Sequence, residues 1–364
     1  MRHPRIRSRL LVLIVIGGLF LPAVPTASAV TAEPTIAQLV GAKLVVRMNG
    51  TTPSAALLAR VRLGEVGGIV LFKSFNITTQ SALVAATAKL QAAATAGGWP
   101  PLLIMADQEG GDIRTIPWAP TSYSARAMGA NGSTTFVRGK GHATAIGLLA
   151  SGVNVDLAPV ADVAFGTSGF MYLAGRTFST SSSKVSRLAP AFALGLADRG
   201  VVATMKHFPG IGRVRLNTDR YVQTVTATRA QLASDLAPFK AAIADHVPMI
   251  MLSNATYTAY DTASAAGWSH TIGTNLLRDL LGFTGVTITD SLNGTAAARG
   301  VSSTTLAYRA ARAGTDMIMI TGTESSTAAQ FDYLVAKAGA GLIPLDRLQA
   351  SYDRILALRA SLGD

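Results

Sequence analysis

Short apolar runs alternate with longer stretches of helical character along most of the 364-residue chain. Each run is rich in Val, Ile, Leu or Met and has the length of a buried strand. The predicted strands are 69–72, 102–106, 153–157, 201–205, 249–252, 286–289 and 317–320. Strands that alternate with helices in this way form parallel βαβ units, so the pattern predicts an α/β fold.

Helical spacing of apolar residues occupies the segments between and around these runs. The predicted helices are 34–48, 79–96, 134–150, 184–199, 228–245, 272–281, 302–313, 327–340 and 345–362. Thr228, with Gln231 three residues later, has the pattern of a capping box. Polar residues follow most of the predicted strands, which favours a closed barrel over an open sheet with one switch point. We therefore expect a single (β/α)8 TIM-type barrel over residues 30–364, with one irregular or missing strand because no eighth run is evident.

The first 29 residues have the organisation of a secretory signal peptide. Four arginines precede an apolar segment at 10–21, and Ala27-Ser28-Ala29 supplies small residues for cleavage. The alternative is an uncleaved anchor helix, but the apolar segment is short for a bilayer span. The chain has no cysteine, so we expect neither a lipid-modified cysteine nor disulfides. We expect a secreted, extracytoplasmic protein without a stable membrane anchor.

Composition argues against several classes of function. Removing the four leader arginines from the net charge of +12 leaves +8, and the remaining charge is scattered. No basic block with interleaved aromatic residues predicts a nucleic-acid site. The five histidines lack metal-ligand spacing, thiols are absent, and no glycine-rich phosphate-binding motif opens a helix. We therefore expect no metal, cofactor or nucleic-acid partner, and the oligomeric state is not predicted.

Lys206 and His207 directly follow the apolar run 201–205. A cation and an imidazole at the end of a buried strand are unfavourable unless something uses them. Phe208-Pro209-Gly210 ends the strand, and a charged loop follows. Barrel enzymes carry their reactive side chains at such positions. The alternatives are an ordinary strand–loop junction, or a Schiff-base lysine as in barrel aldolases.

Three further side chains stand at positions suited to a barrel mouth. Asp290 ends the run 286–289, although an aspartate there could instead cap the next helix. Asp107 ends the run 102–106 and precedes a glycine pair, so it could also be a turn residue. Arg176 offers several fixed hydrogen-bond donors for hydroxyl groups, or it could pair with a surface carboxylate.

The pentapeptide 206–210 resembles the signature of family 3 glycoside hydrolases, in particular their bacterial β-N-acetylhexosaminidase (β-N-acetylglucosaminidase) branch. Further segments resemble the family in the expected order, at 105–111, 154–160, 173–179, 286–293 and 313–316, and the likeness extends from about residue 36 to 358. The resemblance implies that Asp290 is the nucleophile. It also implies that Asp107, Arg176, Lys206 and His207 bind the sugar, that Asn154 and Asp156 shape the barrel mouth, and that 313–316 is structural.

The chain departs from the family where the proton donor is expected. The hexosaminidase branch continues its signature with His-Gly and then carries Asp-Ser-His, whose Asp–His pair supplies the general acid/base. Here Ile211 replaces the first histidine, and Asn217-Thr218-Asp219 replaces the tripeptide. Asp219 is therefore the candidate acid/base. The family also has an arginine after the glycine pair, where this chain has Asp112, with Arg114 two residues later.

An aspartic acid can donate a proton at neutral pH only if its pKa is raised. The loop neighbours Arg213, Arg215 and Arg220 would lower the pKa of Asp219 if they lie close, whereas burial beside Asp290 would raise it. We expect the second effect to be partial.

The resemblance implies a secreted retaining exo-glycosidase that releases terminal β-linked N-acetylglucosamine from cell-wall-derived glycans. Retaining enzymes use two carboxyl groups about 5–5.5 Å apart. One alternative is a carbohydrate-binding paralogue with little or no activity. Another is a β-glucosidase-type hydrolase, in which the acid usually comes from a second domain.

Overall fold

Eight parallel strands form a closed barrel in the computed structural model, which describes Met1 and residues 33–363. The strands are β1 Leu44–Arg47, β2 Gly68–Val70, β3 Leu103–Ala106, β4 Val155–Asp156, β5 Val202–Phe208, β6 Met249–Leu252, β7 Val286–Thr289 and β8 Ile318–Ile320. Strands β1 to β7 pair in order, β8 pairs with β1, and a bridge from Ile288 to Met317 joins β7 to the residue before β8. The predicted (β/α)8 barrel is confirmed.

Helices surround the strands. They span Ile36–Lys43, Ala55–Leu63, Lys73–Asn76, Gln80–Ala96, Ala125–Asn131, Thr134–Leu149, Phe170–Leu173, Ser182–Ala197, Arg229–Ala244, Thr271–Leu280 (a π-helix), Leu292–Ala298, Ser303–Ala313, Glu324–Gly339 and Leu345–Ala360. The predicted capping box is present, because Thr228 accepts from the N–H of Gln231 and the Gln231 side chain accepts in return. Short strands outside the barrel span Gln108–Gly110, Ile113–Arg114, Thr224–Val225, Thr256–Tyr257 and Asp261–Ala265.

The first strand of the barrel was not expected from the sequence. The predicted helix 34–48 is wrong beyond Lys43, because the chain continues there as β1. Leu44, Val45 and Val46 continue the apolar stripe of the helix, so periodicity alone does not reveal the change. Pairing with β2 on one side and β8 on the other selects the extended conformation and supplies the strand that the sequence did not reveal.

Strand β5 is longer than predicted. Lys206 and His207 were expected to follow the strand, but β5 continues to Phe208. Lys206 pairs with Met251 and Phe208 with Leu252 on β6, and the register shifts between these pairs. Both polar side chains are consequently held by a buried ladder, with 2% of Lys206 and 3% of His207 exposed.

The two ends of the barrel differ. Asp316, just before β8, pairs with Arg278 and Arg354 and also accepts from the hydroxyl of Thr287. This cluster occupies the end where the strands begin, beneath an apolar barrel interior. A functional site is therefore expected at the carboxyl ends of the strands, as in other barrels of this kind.

The predicted signal peptide lies outside the described residues apart from Met1. None of the helices in residues 33–363 is long and apolar enough to cross a membrane.

Candidate active site

A cavity of about 380 Å³ lies at the carboxyl ends of the strands. Its lining includes all six residues that the sequence predicted for the site, namely Asp107, Arg176, Lys206, His207, Asp219 and Asp290. The volume lies in the range of small-molecule sites. Residues that are widely separated in the sequence thus share one concave surface.

Glu109 connects the side chains on one wall of this cavity. Arg176 donates to both of its carboxylate oxygens, from Nε at 2.8 Å and from Nη2 at 2.7 Å. Lys206 Nζ lies 2.7 Å from Glu109 Oε1 and 2.5 Å from Asp107 Oδ1. The partner of Arg176 is consequently a buried carboxylate, 3% exposed, and not a surface one. Glu109 was not singled out in the sequence, where it is one polar residue in a polar segment.

Lys206 and Glu109 remain charged although they are buried, because each lies against groups of opposite charge. Burial acts to lower the pKa of Lys206, but Asp107 and Glu109 outweigh it and leave the pKa above its ordinary value. Burial acts to raise the pKa of Glu109, but Arg176 and Lys206 hold it well below its ordinary value. Lys206 therefore stays protonated. A Schiff-base lysine needs a neutral amine, so the aldolase alternative is disfavoured.

We expect Glu109→Gln to destabilise the protein by about 3 kcal/mol, because it leaves two buried cations with too little negative charge. Urea unfolding would measure this loss. Asp198→Asn is the matched control, since Asp198 forms a comparable bidentate pair with Arg138 on the surface. Exposed pairs contribute little, so the control should lose much less. Equal losses for the two variants would contradict a structural role for the buried network.

His207 is oriented by Asp162, a wholly buried residue that the sequence did not mark. The ring Nδ1 lies 2.8 Å from Asp162 Oδ2, and Asp162 Oδ1 accepts from the backbone N–H of Ile211 at 2.7 Å. A carboxylate partner places the proton on Nδ1, which leaves Nε2 as the group that can face a ligand in the cavity. The same carboxylate fixes the turn that leads into the loop after β5.

Asp290 follows β7 and does not cap the next helix through its side chain. Its Oδ1 accepts from the N–H of Ser291 at 2.7 Å, and helix Leu292–Ala298 begins only after Ser291. Within residues 33–363, Asp290 Oδ2 has no hydrogen-bond partner. One carboxylate oxygen is therefore fixed and the other is available to a ligand.

Asp219 is half-buried in the loop after β5. Its backbone N–H donates to Asn217 Oδ1 at 2.7 Å, and its Oδ1 accepts from Asn254 Nδ2 at 3.4 Å. Burial, followed by the negative charge of Asp290, raises the pKa of Asp219 to about 7. A substantial fraction of this carboxyl group is protonated at neutral pH, as a general acid requires.

The loop arginines are not among the main influences on the pKa of Asp219. Arg213 turns towards helix Arg229–Ala244, where its Nε donates to Asp235 at 3.0 Å. Arg215 and Arg220 are exposed. Among the neighbouring side chains, Arg176 and His207 act to lower the pKa of Asp219, and their effect does not overcome burial.

Asp156 ends β4 and is wholly buried. Its Oδ1 accepts from the N–H of Gln108 at 3.0 Å, and its Oδ2 has no partner among the described residues. Burial raises the pKa of Asp156 to about 8, although Gln108 and Lys206 act in the opposite direction. Asn154, in contrast, bonds to Leu102 and Ile104 on the side where the strands begin, so it does not shape the mouth as expected.

The folded protein retains a proton on Asp156 that the unfolded chain loses above about pH 4. Stability should therefore fall as pH rises from about 4 to about 8 through this group. Asp156→Asn removes the titration, so we expect a melting temperature about 3 °C or more above wild type at pH 9, with the difference shrinking towards pH 5. Calorimetry at both pH values would measure it, and a difference independent of pH would contradict the assignment.

A second cavity of about 480 Å³ adjoins the first and shares Glu109 and Arg176 with it. Asp112 and Arg126 are among its lining residues. Arg114 donates from Nε to the carbonyl of Gly111, so its guanidinium braces the glycine turn.

Comparison with known proteins gives consistent matches. Residues 31–358 match the model of the glycosyl hydrolase family 3 N terminal domain. An uncharacterized secreted glycosyl hydrolase of Arthroderma benhamiae is 31% identical over 319 residues, covering 86% of this chain and 90% of that protein. The structure of a family 3 β-N-acetylglucosaminidase from a Paenibacillus species has a TM-score of 0.85 at 29% identity, covering 91% of this chain and 64% of that one. A β-N-acetylhexosaminidase from Beutenbergia cavernae has a TM-score of 0.82 at 30% identity, covering 90% of this chain and 99% of that one.

Proposed function

Because the chain belongs to glycosyl hydrolase family 3 and is similar to its β-hexosaminidases, we propose that it releases terminal β-linked N-acetylglucosamine from glycans with retention of configuration. The observation that carries this proposal is the pair of unlike carboxyl groups on one cavity. Asp290 has an available oxygen, and Asp219 has a pKa raised to about 7. Two carboxyl groups with separated roles are what a retaining glycosidase needs.

In the first step, Asp290 Oδ2 bonds to the anomeric carbon as the bond from that carbon to the leaving oxygen breaks. The proton on Asp219 passes to the leaving oxygen, so the aglycone departs as a neutral alcohol. In the second step Asp219, now a carboxylate, takes a proton from water as the water oxygen attacks the anomeric carbon. Asp290 is released as a carboxylate and Asp219 is again protonated, which closes the cycle.

The remaining wall of the cavity supplies hydrogen-bonding groups for the sugar. Asp107 offers acceptors, Lys206 offers donors, and His207 offers Nε2. Arg176 uses Nε and Nη2 on Glu109, and within the described residues its Nη1 has no protein partner. That nitrogen is suited to a hydroxyl or to the acetamido carbonyl.

Secretion and a substrate in cell-wall-derived glycans are further parts of the proposal. The leader-like composition of residues 1–29 supports secretion, and the Arthroderma relative is described as a secreted glycosyl hydrolase. The carboxylate at position 219 also keeps the β-glucosidase-type alternative relevant, because that type uses a carboxylate acid.

Chromogenic aryl glycosides of N-acetylglucosamine and of glucose, tested side by side, separate the possibilities. We expect hydrolysis of the N-acetylglucosaminide to dominate. Preference for the glucoside would favour a β-glucosidase-type hydrolase. Cleavage of neither, with binding of N-acetylglucosamine detected by calorimetry, would replace the proposal with a carbohydrate-binding function.

A further inference from the structure

Asn254 follows β6 and lies between the loop that carries Asp219 and the segment that carries Asp290. It is 1% exposed. Its Nδ2 donates to Asp219 Oδ1 at 3.4 Å and to the carbonyl of Ser291 at 3.1 Å. The Ser291 carbonyl can only accept, so the end of the amide that faces both groups must be the nitrogen.

Among the described residues, one half of the Asn254 side-chain amide is hydrogen-bonded and the other half is not. Its Oδ1 is buried without a hydrogen-bond partner in the part of the chain that the structure describes. An unsatisfied buried acceptor is unfavourable by about 1–3 kcal/mol, and a smaller apolar side chain would avoid this. Its backbone carbonyl is held separately, by Arg299 Nη2 at 2.9 Å. The two hydrogen bonds from Nδ2 are the contacts that the Asn254 side chain makes, and they join the Asp219 loop to the segment that carries Asp290.

Gly294 provides the second contact between the same two segments. A Cβ atom at this position would lie 2.6 Å from the carbonyl oxygen of Asp219 and 3.4 Å from its Cβ. Only a glycine lets the loop backbone approach the first turn of helix Leu292–Ala298 this closely. The position of the loop is thus set from the nucleophile side of the cavity.

We propose that Asn254 positions the acid/base carboxyl group of Asp219. Gly294 supports this placement, because its lack of a side chain lets the backbone of the Asp219 loop pack directly against it. Asn254 ties Asp219 to Ser291, the residue after the nucleophile, so one amide sets the relative placement of the two carboxyl groups. This inference rests on the proposed function, because it assigns Asn254 a role in that reaction.

The test compares two substrates, an aryl N-acetylglucosaminide with a good leaving group and a disaccharide with a poor one. Asn254→Ala should lower kcat for the disaccharide by about 10-fold or more and change the aryl substrate much less, because only the poor leaving group needs the acid. The matched control is Asn76→Ala, which also removes a buried amide, one that bonds to the carbonyls of Met48 and Gly50. The control should leave the ratio of the two rates unchanged.

The pH profile supplies a readout that a merely structural residue would not move. The Asn254 bond favours the charged form of Asp219. Loss of this bond in Asn254→Ala should raise the pKa of Asp219 and so move the alkaline limb of the pH–rate profile for the disaccharide to higher pH. Asn254→Asp should move it further, because it adds a negative charge. Gly294→Ala should displace the loop and lower the disaccharide rate selectively, with the alkaline limb still present.

The outcomes distinguish the inference from the function beneath it. Suppose that wild type cleaves the aryl N-acetylglucosaminide and that Asp219→Asn slows the disaccharide more than the aryl substrate. If Asn254→Ala then changes neither the ratio of the two rates nor the alkaline limb of the pH–rate profile, the positioning role is wrong. If Asn254→Ala slows both substrates equally with an unchanged limb, its role is structural and the inference is again wrong. If wild type cleaves neither substrate, both the function and the inference fall.

Discussion

Asp290→Asn is expected to abolish hydrolysis, lowering kcat for an activated aryl N-acetylglucosaminide by a factor of about 10⁴ or more. An amide cannot form the glycosyl-enzyme that a carboxylate forms. Folding should be retained, because the amide oxygen can still accept from the N–H of Ser291. The effect should be the largest of any single substitution in the cavity, since no other group can replace the attacking oxygen.

Mass spectrometry after reaction with a fluorinated glycosyl inhibitor would identify the nucleophile directly. Wild type should carry one sugar on the peptide that contains Asp290, and the variant should carry none. Asp279→Asn, at an exposed position, is the control and should label as wild type does. A sugar on any other carboxylate would show that the nucleophile is assigned incorrectly.

Asp219→Asn should affect substrates according to how much their leaving groups need a proton. We expect a loss of about 10²-fold or more in kcat for a disaccharide, and a much smaller loss for an activated aryl glycoside. The pH dependence follows from the same group. With a pKa of about 7, the acid is protonated below that value and is lost above it, so wild-type activity on the disaccharide should fall as pH rises through 7.

The alkaline limb should disappear in Asp219→Asn, because the titrating group is gone. Arg220→Ala is the control, since Arg220 is exposed in the same loop and should leave the limb in place. If Asp219→Asn slows both substrates to the same extent, or slows neither, the proton donor is a different residue.

The sequence predicts those parts of the site that follow directly from strand position. Asp107 and Asp290 each end an apolar run, and a closed barrel brings the ends of such runs together. Lys206 and His207 were also predicted as site residues. They lie within β5 and not after it, because pairing with β6 extends the strand beyond its apolar residues. Strand β1 was missed for a related reason, since its partners and not its own pattern determine its conformation.

The supporting residues could not be predicted, because their roles depend on contacts between distant segments. Glu109 meets Arg176 and Lys206, Asp162 meets His207, and Asn254 meets Asp219. None of these has a distinctive local pattern. The pKa of Asp219 is a similar case, because Arg213 pairs with Asp235 and burial is the largest influence on that pKa.

In the proposed reaction, sugar recognition and proton transfer belong to different kinds of structure in this barrel. Lys206 and His207 belong to a buried strand, whereas Asp219 belongs to a surface loop that rests on Gly294. Loops tolerate substitution and insertion far better than buried strands do. The proposed proton donor can therefore be substituted without disturbing the proposed sugar contacts. We therefore expect substitutions in this loop to change the pH optimum of the proposed reaction more readily than substitutions in β5 do.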